Sequence, residues 1–206
     1  ISGEGSVTGK LYAKGLYYIL ALIFGQIATT TEDVGSDTGA NSHAFTLLNS
    51  NEHLSATLGV NDGNAQYQYP FSMIDSATIT WAPDAFPQVE LNFIGQKGDS
   101  DADSVSFIAD SEFIPKQAVL KLAANLAGLS GASAATGIKS FSLTFTKTLS
   151  PQQTMDSGDT YGEIFNTDFE VTGTIEKLIS DTTYRGYALA DTEQAMSFTL
   201  TDSVNK

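Results

Sequence analysis

The residues most suggestive of metal chemistry are three aspartates at alternate places, Asp99, Asp101 and Asp103. Asp110 stands at the twelfth place counted from Asp99, and calcium-binding loops present carboxylate oxygens at this kind of spacing. The segment lacks the glycine at place six and the final glutamate that such loops use, and strand-like patterns flank it. We therefore interpret it as a solvated acidic loop and predict no metal site.

Groups that could carry catalysis are scarce. The chain has two histidines, His43 and His53; each falls in a strand candidate, and we interpret both as structural. No G-x-S-x-G elbow and no P-loop occurs, and the glycines of residues 3–9 have the wrong spacing for a dinucleotide-binding fingerprint. Glycoside hydrolysis needs two carboxylates, but among 24 acidic residues such pairs arise too easily to indicate an active site. The sequence predicts a protein that is not an enzyme, with no catalytic residues and no cofactors.

The composition narrows the function further. The 206 residues carry 24 acidic and 10 basic side chains, for a formal net charge of −14, whereas nucleic-acid binding relies on clustered Lys and Arg. The absence of cysteine excludes a disulfide scaffold, a thiolate zinc site and cysteine catalysis. The longest apolar run, residues 16–25, is shorter than the ~18 residues of a membrane span. The chain opens with Ile1 and without a signal-peptide pattern, so we expect the numbering to begin inside a longer product, with residues 1–206 forming one domain.

Most of the chain alternates polar and apolar residues with period two, which is typical of β-strands. Ser, Thr, Val, Phe and Tyr dominate these segments, as half-buried strands prefer. We predict four long strands and three shorter ones, at residues 71–81, 87–95, 138–147, 166–178, 43–48, 54–59 and 196–200.

Helical patterns are few. The apolar residues of 11–24 recur at helical spacing and predict a helix, and residues 184–189 predict a shorter one. Residues 116–128 combine strand-like alternation with a helix-favouring composition; we favour a strand to about Ala124, then a helical turn that ends at Gly128. Polar segments without periodicity predict long loops at residues 28–42, 96–104 and 150–161.

An internal repeat relates the two halves of the chain. The segment IDSATITW at residues 74–81 resembles IKSFSLTF at residues 138–145. Each is followed across a loop by a second alternating strand, QVELNFIG in the first half and FEVTGTIE in the second. Two similar halves predict a mainly β fold: a β-sandwich with a pseudo-twofold internal repeat, flanked by one or two short helices.

The four long strands sort into two faces. One is apolar, with residues such as Ile79, Val89 and Phe141, and predicts the core. The other is small, polar or acidic and has no Lys or Arg; it comprises Ser76, Thr78, Thr80, Gln88, Glu90, Asn92, Ser140, Ser142, Thr144, Asp168, Glu170, Thr172 and Thr174. This face is either an ordinary solvated sheet surface or a surface that DNA passes without sticking, because it offers phosphates nothing to hold.

Five stretches carry a resemblance to a known family. In the first half they are GSVTGKLYAKGLYYILALIFGQIATTT, HAFTLLN and YQYPFSMIDSATITWAPDAFPQVELNFIGQKG. In the second half they are AVLKLAANLAGLSGASAATGIKSFSLTFTKTL and FNTDFEVTGTIEKLISDTTYRGYALADTEQAMSFTLTD. In their order, alternation and glycine placement they resemble the major tail tube proteins of long-tailed, siphovirus-like bacteriophages, the Ig-like tail tube family.

The resemblance implies a virion structural protein whose homohexameric rings stack into the hollow tail tube through which the genome is ejected. Subunits of this family contribute four long strands each to a β-barrel shared between subunits, so the polar face is expected to line its lumen. The loops at 28–42 and 150–161 are expected to join successive rings through Glu32, Asp33, Asp37, Gln152, Asp156 and Asp159. Expected partners are further copies of the chain and the tape-measure, distal-tail and terminator proteins, with DNA as transient cargo, no membrane, and assembly in the host cytoplasm.

The sequence leaves two alternatives open. One is a related tail protein, such as a distal-tail or tube-terminator ring component, which would form a single ring where a tube protein stacks. The other is a secreted β-sandwich binding module, which would expose aromatic side chains on one face if it bound sugars. The single tryptophan, Trp81, falls instead on the apolar face.

Overall fold

The computed structural model describes residues 2–34, 37–61, 63–99, 109–155, 157–158, 160–178, 183–190 and 192–201. Strands dominate them. The elements are β1 (Ser2–Lys10), α1 (Ala13–Phe24), β2 (Gly25–Val34), β3 (Asp37–Leu47), β4 (Ala56–Asn61), β5 (Gln66–Ala82), β6 (Ala85–Gln96), β7 (Ala118–Ala123), β8 (Ile138–Gln152), β9 (Glu163–Lys177), α2 (Thr183–Leu189) and β10 (Ala195–Leu200). Short 3-10 turns at Pro115–Gln117 and Leu126–Leu129 flank β7.

The largest unit is an antiparallel sheet in the order β1-β6-β5-β8-β9, with β4 added beside the first part of β5. It contains two hairpins, β5–β6 and β8–β9, joined through the central β5–β8 pair. Ile79 lies opposite Leu143 in that pair, and the same two residues correspond in the sequence repeat. The two strands are therefore related by a local pseudo-twofold axis that passes between Ile79 and Leu143. The sheet is open and does not close into a barrel within one chain.

Alternation along the strands produces the predicted apolar inner face. Ile79, Val89, Phe141 and Phe145 are each less than 10% exposed. Burying an aliphatic or aromatic side chain of this size contributes about 1.5–3 kcal/mol to stability. The inner face of the sheet is therefore the surface that the second layer must cover.

One half of the second layer is helix α1. Its residues Leu16, Ile19 and Leu22 pack against the apolar cluster of the sheet, and Ile23 is 1% exposed. The helix ends at Gly25, which has φ 78°, a left-handed conformation that glycine adopts without steric cost. The predicted helix at 11–24 is confirmed, with the bounds Ala13–Phe24, and its apolar side packs against the sheet.

The other half of the second layer is the antiparallel pair β7–β10. Phe198 of β10 stacks on Phe141 of the sheet with 4.5 Å between ring centroids. The Trp81 indole donates a hydrogen bond to the carbonyl oxygen of Pro115 at 3.1 Å, on the same side of the sheet. The predicted strand with a following helical turn, and the short strand at 196–200, are both confirmed.

Asp110, the last member of the calcium-like spacing, has a structural role. Its Oδ2 accepts hydrogen bonds from the backbone N–H groups of Lys14 at 2.8 Å and Gly15 at 3.1 Å. A carboxylate at the start of a helix satisfies unpaired N–H groups and complements the helix dipole. Asp101 and Asp103 lie outside the described residues, and within those described no cluster of three metal-binding side chains occurs.

Two expectations from the sequence are wrong. Residues 28–34 and 37–42 lie on strands β2 and β3 instead of in a loop, and Gly25–Glu32 pairs in register with Ala40–Leu47. Strand β1 was not anticipated at all. The loop at 150–161 is shorter than expected, because β8 continues to Gln152. In the described part of the chain, neither helix is long and apolar enough to cross a membrane.

Candidate functional site

The outward face of the large sheet brings the predicted polar residues together in transverse rows. One row runs Ser6, Asn92, Ser76, Thr146, Glu170; the next runs Thr8, Glu90, Thr78, Thr144, Thr172; a third runs Lys10, Gln88, Thr80, Ser142, Thr174. Ser140 and Asp168 continue this face along the β8–β9 ladder, each beside a register shift. All thirteen predicted residues therefore share one face, which we call the polar face.

Hydrogen bonds between strands order the centre of the polar face. The Asn92 Nδ2 donates to Ser76 Oγ at 2.9 Å, and the hydroxyls of Thr78 and Thr144 form a 3.0 Å hydrogen bond in which either can donate. None of the thirteen residues is fully buried, and the exposed ones are Thr80, Gln88, Glu90 and the four on β9. The face is thus polar and open, with hydrogen bonds at its centre.

The face is more acidic than predicted. Glu4 on β1 and Asp75, beside a bulge in β5, join Glu90, Asp168 and Glu170 on this side of the sheet. Partial burial raises the pKa of Asp75, and the nearby negative charge of Glu4 raises it further. Like charges therefore meet where β1 lies against the rest of the sheet.

The expectation of a face without cations needs a correction at its margins. Lys10 of β1 lies opposite Gln88, and its Nζ is 2.6 Å from a carboxylate oxygen of Glu112. Lys139 makes an equivalent 2.6 Å ion pair with Glu176. The hydrogen bond to Glu112 raises the pKa of Lys10, and the hydrogen bond from Lys139 lowers the pKa of Glu176. Both lysines are neutralised locally, so neither offers phosphate a free partner.

The β2–β3 hairpin is the second candidate contact element. It pairs within itself, and the hydroxyl of Thr29 lies 2.9 Å from the His43 ring nitrogen. Tyr17 of α1 holds its base through edge contacts with His43 and Phe45, at 4.8 and 5.6 Å between ring centroids. Towards the tip, Thr31 and the adjoining described side chains are exposed. The predicted ring-contact residues Glu32 and Asp33 lie on β2 and Asp37 lies on β3, at the far end of this hairpin.

The other predicted ring-contact loop, at residues 150–161, is shorter than the β2–β3 hairpin. Gln152 is the exposed last residue of β8, and its amide donates to Ser150 Oγ at 2.9 Å. The turn beyond it is closed by a 2.9 Å hydrogen bond from the Gly162 N–H to the Gln152 carbonyl. Asp156 and Asp159 lie outside the described residues.

The inner side of the sheet contains a polar cluster that the sequence analysis missed. Lys147 is 2% exposed, and its Nζ donates to the Leu22 carbonyl at 2.6 Å. Burial lowers the pKa of Lys147 to about 8. Asn166 lies within 3.3 Å of the His53 ring, whose pKa is lowered first by burial and then by the charge of Lys147. The alternation of β8 could have revealed this position, because Lys147 comes two residues after Phe145 and therefore lies on the same apolar face.

The polar face is a broad surface of polar side chains. The polar face holds hydroxyls, amides and carboxylates on an open sheet, and two of its acids, Glu4 and Asp75, line a wide, open depression. A model of one family, described as phage tail tube protein, matches residues 1–205 of the chain. No curated protein sequence matches it. The proteins of that family are structural components of the virion tail. The match spans nearly the whole chain, and the chain therefore belongs to the phage tail tube protein family.

Proposed function

We propose that the chain forms homohexameric rings that stack into a hollow tail tube, and that the polar face lines the lumen through which the genome leaves. The observation that carries the proposal is the composition of this face. Its described lysines are ion-paired at the margins, and its centre presents hydroxyls, amides and carboxylates. Such a surface repels DNA phosphates and gives them no fixed partners, so a polyanion can slide past it.

Ring formation would pair the open edge of the sheet with a neighbouring subunit. Among the described residues, no strand pairs with the outer side of β9, a 15-residue strand at the edge of the sheet. An open edge of this length is a template for further strand pairing. A heterologous contact that closes into a ring satisfies each edge with a neighbouring copy and stops growth at a fixed number. The number six comes from the family resemblance.

The hairpin β2–β3 supports a role between rings. A two-stranded hairpin is marginal on its own in water and gains stability when another surface covers it. Its tip carries Glu32, Asp33 and Asp37, the residues for which we proposed ring contacts. The partners in the virion would be further copies of the chain and the tape-measure, distal-tail and terminator proteins, assembled in the host cytoplasm.

Negative-stain microscopy of the purified full-length chain across a salt series tests the proposal. We expect hollow tubes or six-fold rings. Stacking should strengthen with salt, because each subunit carries a net charge of −14 and screening shortens the repulsion between rings to about 8–10 Å at physiological ionic strength. Rings that never stack would instead indicate a terminator-like component. Monomers at every salt concentration and protein concentration would contradict the proposal.

A further inference from the structure

We propose that β1 is an exchangeable edge strand: it covers β6 in the isolated chain, and it leaves β6 during ring formation so that β9 of a second copy takes its place. The inference rests on the proposed function. It names the surface through which one subunit binds the next and the segment of the same chain that blocks it.

Strand direction provides the first argument. Every neighbouring pair in the order β1-β6-β5-β8-β9 is antiparallel, so β1 and β9 run in the same direction. Rotation about a ring axis preserves strand direction along that axis. A neighbour's β9 would consequently lie parallel to β1 but antiparallel to β6. Antiparallel pairing is the more stable arrangement per residue, and four strands per subunit continue the alternation around the whole ring, whereas five break it.

The orientation of the backbone groups provides the second argument. The Leu11 N–H donates to the Pro87 carbonyl at 2.9 Å, which makes this the hydrogen-bonded kind of pair. Because the two kinds alternate, odd-numbered residues of β6 such as Leu91 point their backbone groups at β1. The same alternation can be followed from strand to strand through the registers of the sheet. It points the backbone N–H and C=O groups of Val171 in β9 toward the open edge. The side chains of Leu91 and Val171 both lie on the inner face. Two residues that pair directly in an antiparallel ladder must have their side chains on the same face.

The inner-face side chains at the two edges also match. Val171 on β9 is 48% exposed although it has the parity of the core. At the opposite side of the sheet, Leu91 and Phe93 of β6 line an apolar groove of about 220 Å³ together with Leu22 of α1 and Leu58 of β4. Pairing of β9 with the β6 of a second copy would bring Val171 to the side of the sheet where that groove lies. The second layer leaves both edges incompletely covered in one chain.

Strand β1 is held weakly. Its nine residues include Gly3, Gly5 and Gly9, and glycine weakens a strand because it loses most conformational entropy and packs no side chain. Its one large apolar side chain, Val7, is 45% exposed. Its ion pair at Lys10 is exposed on both sides and contributes little. The rings of Tyr69 and Phe93 lie against Gly3 and Gly5, and Val7 lines the apolar groove, so these contacts add to the ladder of backbone bonds. A neighbouring strand can supply the same backbone bonds.

The polar face adds repulsion. Glu4 of β1 and Asp75 of β5 face the same open depression in the sheet surface, together with Ser6 and Asn92. Burial raises the pKa of Asp75, and the negative charge of Glu4 raises it further, as expected for two acids in one depression. Departure of β1 removes Glu4 from Asp75. The incoming β9 carries its own acids, Asp168 and Glu170, on the polar face, so this relief applies to the Glu4–Asp75 pair alone.

The chain is anchored in the core at Leu11, immediately after β1. Leu11 is fully buried, its N–H is bonded to Pro87, and its carbonyl accepts a 3.1 Å hydrogen bond from the Phe113 N–H. Residues 2–10 can therefore separate from β6 while Leu11 stays in the core. The release of β1 does not require the unfolding of α1.

A reversible covalent lock tests the exchange. The chain has no cysteine, so Ser6→Cys combined with Asn92→Cys creates the one possible disulfide. These residues form a non-hydrogen-bonded pair, where Cα atoms lie about 4.5 Å apart, within disulfide range. We expect the oxidised variant to lose ring formation under conditions in which the wild-type chain assembles. Addition of a reductant should restore rings in the same sample.

The matched control is a disulfide between strands that stay paired. Thr78→Cys with Thr144→Cys links β5 to β8 on the same face, also at a non-hydrogen-bonded pair, and should assemble whether oxidised or reduced. Assembly of the oxidised Ser6–Asn92 variant as readily as its reduced form would overturn the exchange and leave the proposed function standing. Failure of the wild-type chain to form rings at any salt concentration would overturn both.

Discussion

The Nζ of Lys147 donates a hydrogen bond to the carbonyl oxygen of Leu22 at 2.6 Å, and this contact ties the central sheet to the last turn of α1. The final carbonyl groups of a helix lack intrahelical partners and attract a positive charge. The contact is also costly, because Lys147 is 2% exposed and burial disfavours its charged form. Lys147 therefore fixes the position of the helix while reducing stability near neutral pH.

The cost should appear in the pH dependence of unfolding. Burial lowers the pKa of Lys147 from 10.5 to about 8. Between these values the unfolded chain binds more protons than the folded chain, so the free energy of unfolding should rise with pH across the window, by up to about 3 kcal/mol. Below pH 8 Lys147 is charged in both the folded and the unfolded chain, so the full free-energy cost of burying its charge is present. Urea unfolding of the wild-type chain and Lys147→Met at pH 7, 9 and 10 measures it as a changing difference between the two proteins.

The substitution Lys139→Met is the control, because Lys139 is exposed and makes a surface ion pair. Its difference from the wild-type chain should stay constant over the same pH range. Lys147→Met also leaves the Leu22 carbonyl unpaired, which costs about 1–3 kcal/mol at every pH and does not change the slope. A difference between the wild-type chain and Lys147→Met that is independent of pH would refute the account.

The sequence predicted most strands well where one face is buried. The strand at 138–147, for example, shows clean alternation because Phe141 and Phe145 face the core while Ser142 and Thr144 face solvent. The β2–β3 hairpin gave no such signal. Its described side chains from Ala28 to Thr31 are all exposed, so no apolar period is needed, and the polar composition looked like a loop.

Strand β1 escaped prediction for a related reason. Three glycines and one large apolar residue leave no alternation to detect, and the strand exists because β6 offers it a ladder. Lys147 shows a different limit of sequence-based prediction. The alternation of β8 placed it on the core face, but the pattern could not identify its hydrogen-bond partner. The Leu22 carbonyl comes from an element 125 residues earlier in the chain. The polar face was predictable, whereas its margins, Glu4 and Lys10, depended on β1.

Neutralisation of Asp75 should strengthen the attachment of β1. Asp75→Asn removes the repulsion from Glu4, so the amides of residues 3–9 should become more protected from hydrogen exchange in the monomer. Glu4→Gln should act in the same way, and the double variant should add little to either single change, because each change removes the same repulsion. Asp84→Asn, in the exposed β5–β6 turn, is the control and should leave protection unchanged.

The pH dependence of this effect has a definite sign. The pKa of Asp75 is raised in the folded chain, so the folded state binds more protons than the unfolded state above the ordinary aspartate pKa. The contribution of Asp75 to stability therefore falls as pH rises through this window and is restored as the carboxyl is protonated. Protection of β1 amides, corrected for intrinsic exchange, should rise on acidification in the wild-type chain but not in Asp75→Asn. Equal protection in both proteins at all pH values would show that the repulsion is negligible.

Charge reversal on the polar face should convert a passive lumen into one that retains DNA. Glu90, Asp168 and Glu170 are exposed, and their replacement by Lys removes repulsion and adds phosphate partners. We expect tubes of normal appearance that bind short double-stranded DNA, with an affinity that falls steeply with salt. Bound DNA should be protected from nuclease, because it lies inside the tube.

The matched variant carries the same charge change elsewhere. Glu52, Asp84 and Glu193 are exposed and lie outside the strands that carry the polar face. Their replacement by Lys should give tubes that bind DNA, if at all, in a nuclease-sensitive form. Nuclease-sensitive binding by the polar-face variant would place that face on the outside of the tube and contradict the proposed lumen.

Shortening of the β2–β3 hairpin should separate ring formation from stacking. Replacement of residues 31–41 by Asn-Gly keeps the pairs from Gly25–Leu47 to Thr30–Ser42 and closes them with a favoured two-residue turn. The removed part contributes nothing to the described core, so thermal stability should stay close to that of the wild-type chain. Negative-stain images should show single rings without tubes at every salt concentration. A milder variant, Glu32→Gln with Asp33→Asn and Asp37→Asn, retains the hairpin and removes its charge, and it should stack at lower salt than the wild-type chain. Long tubes from the shortened variant would exclude the hairpin as the contact between rings and direct attention to the turn after Gln152.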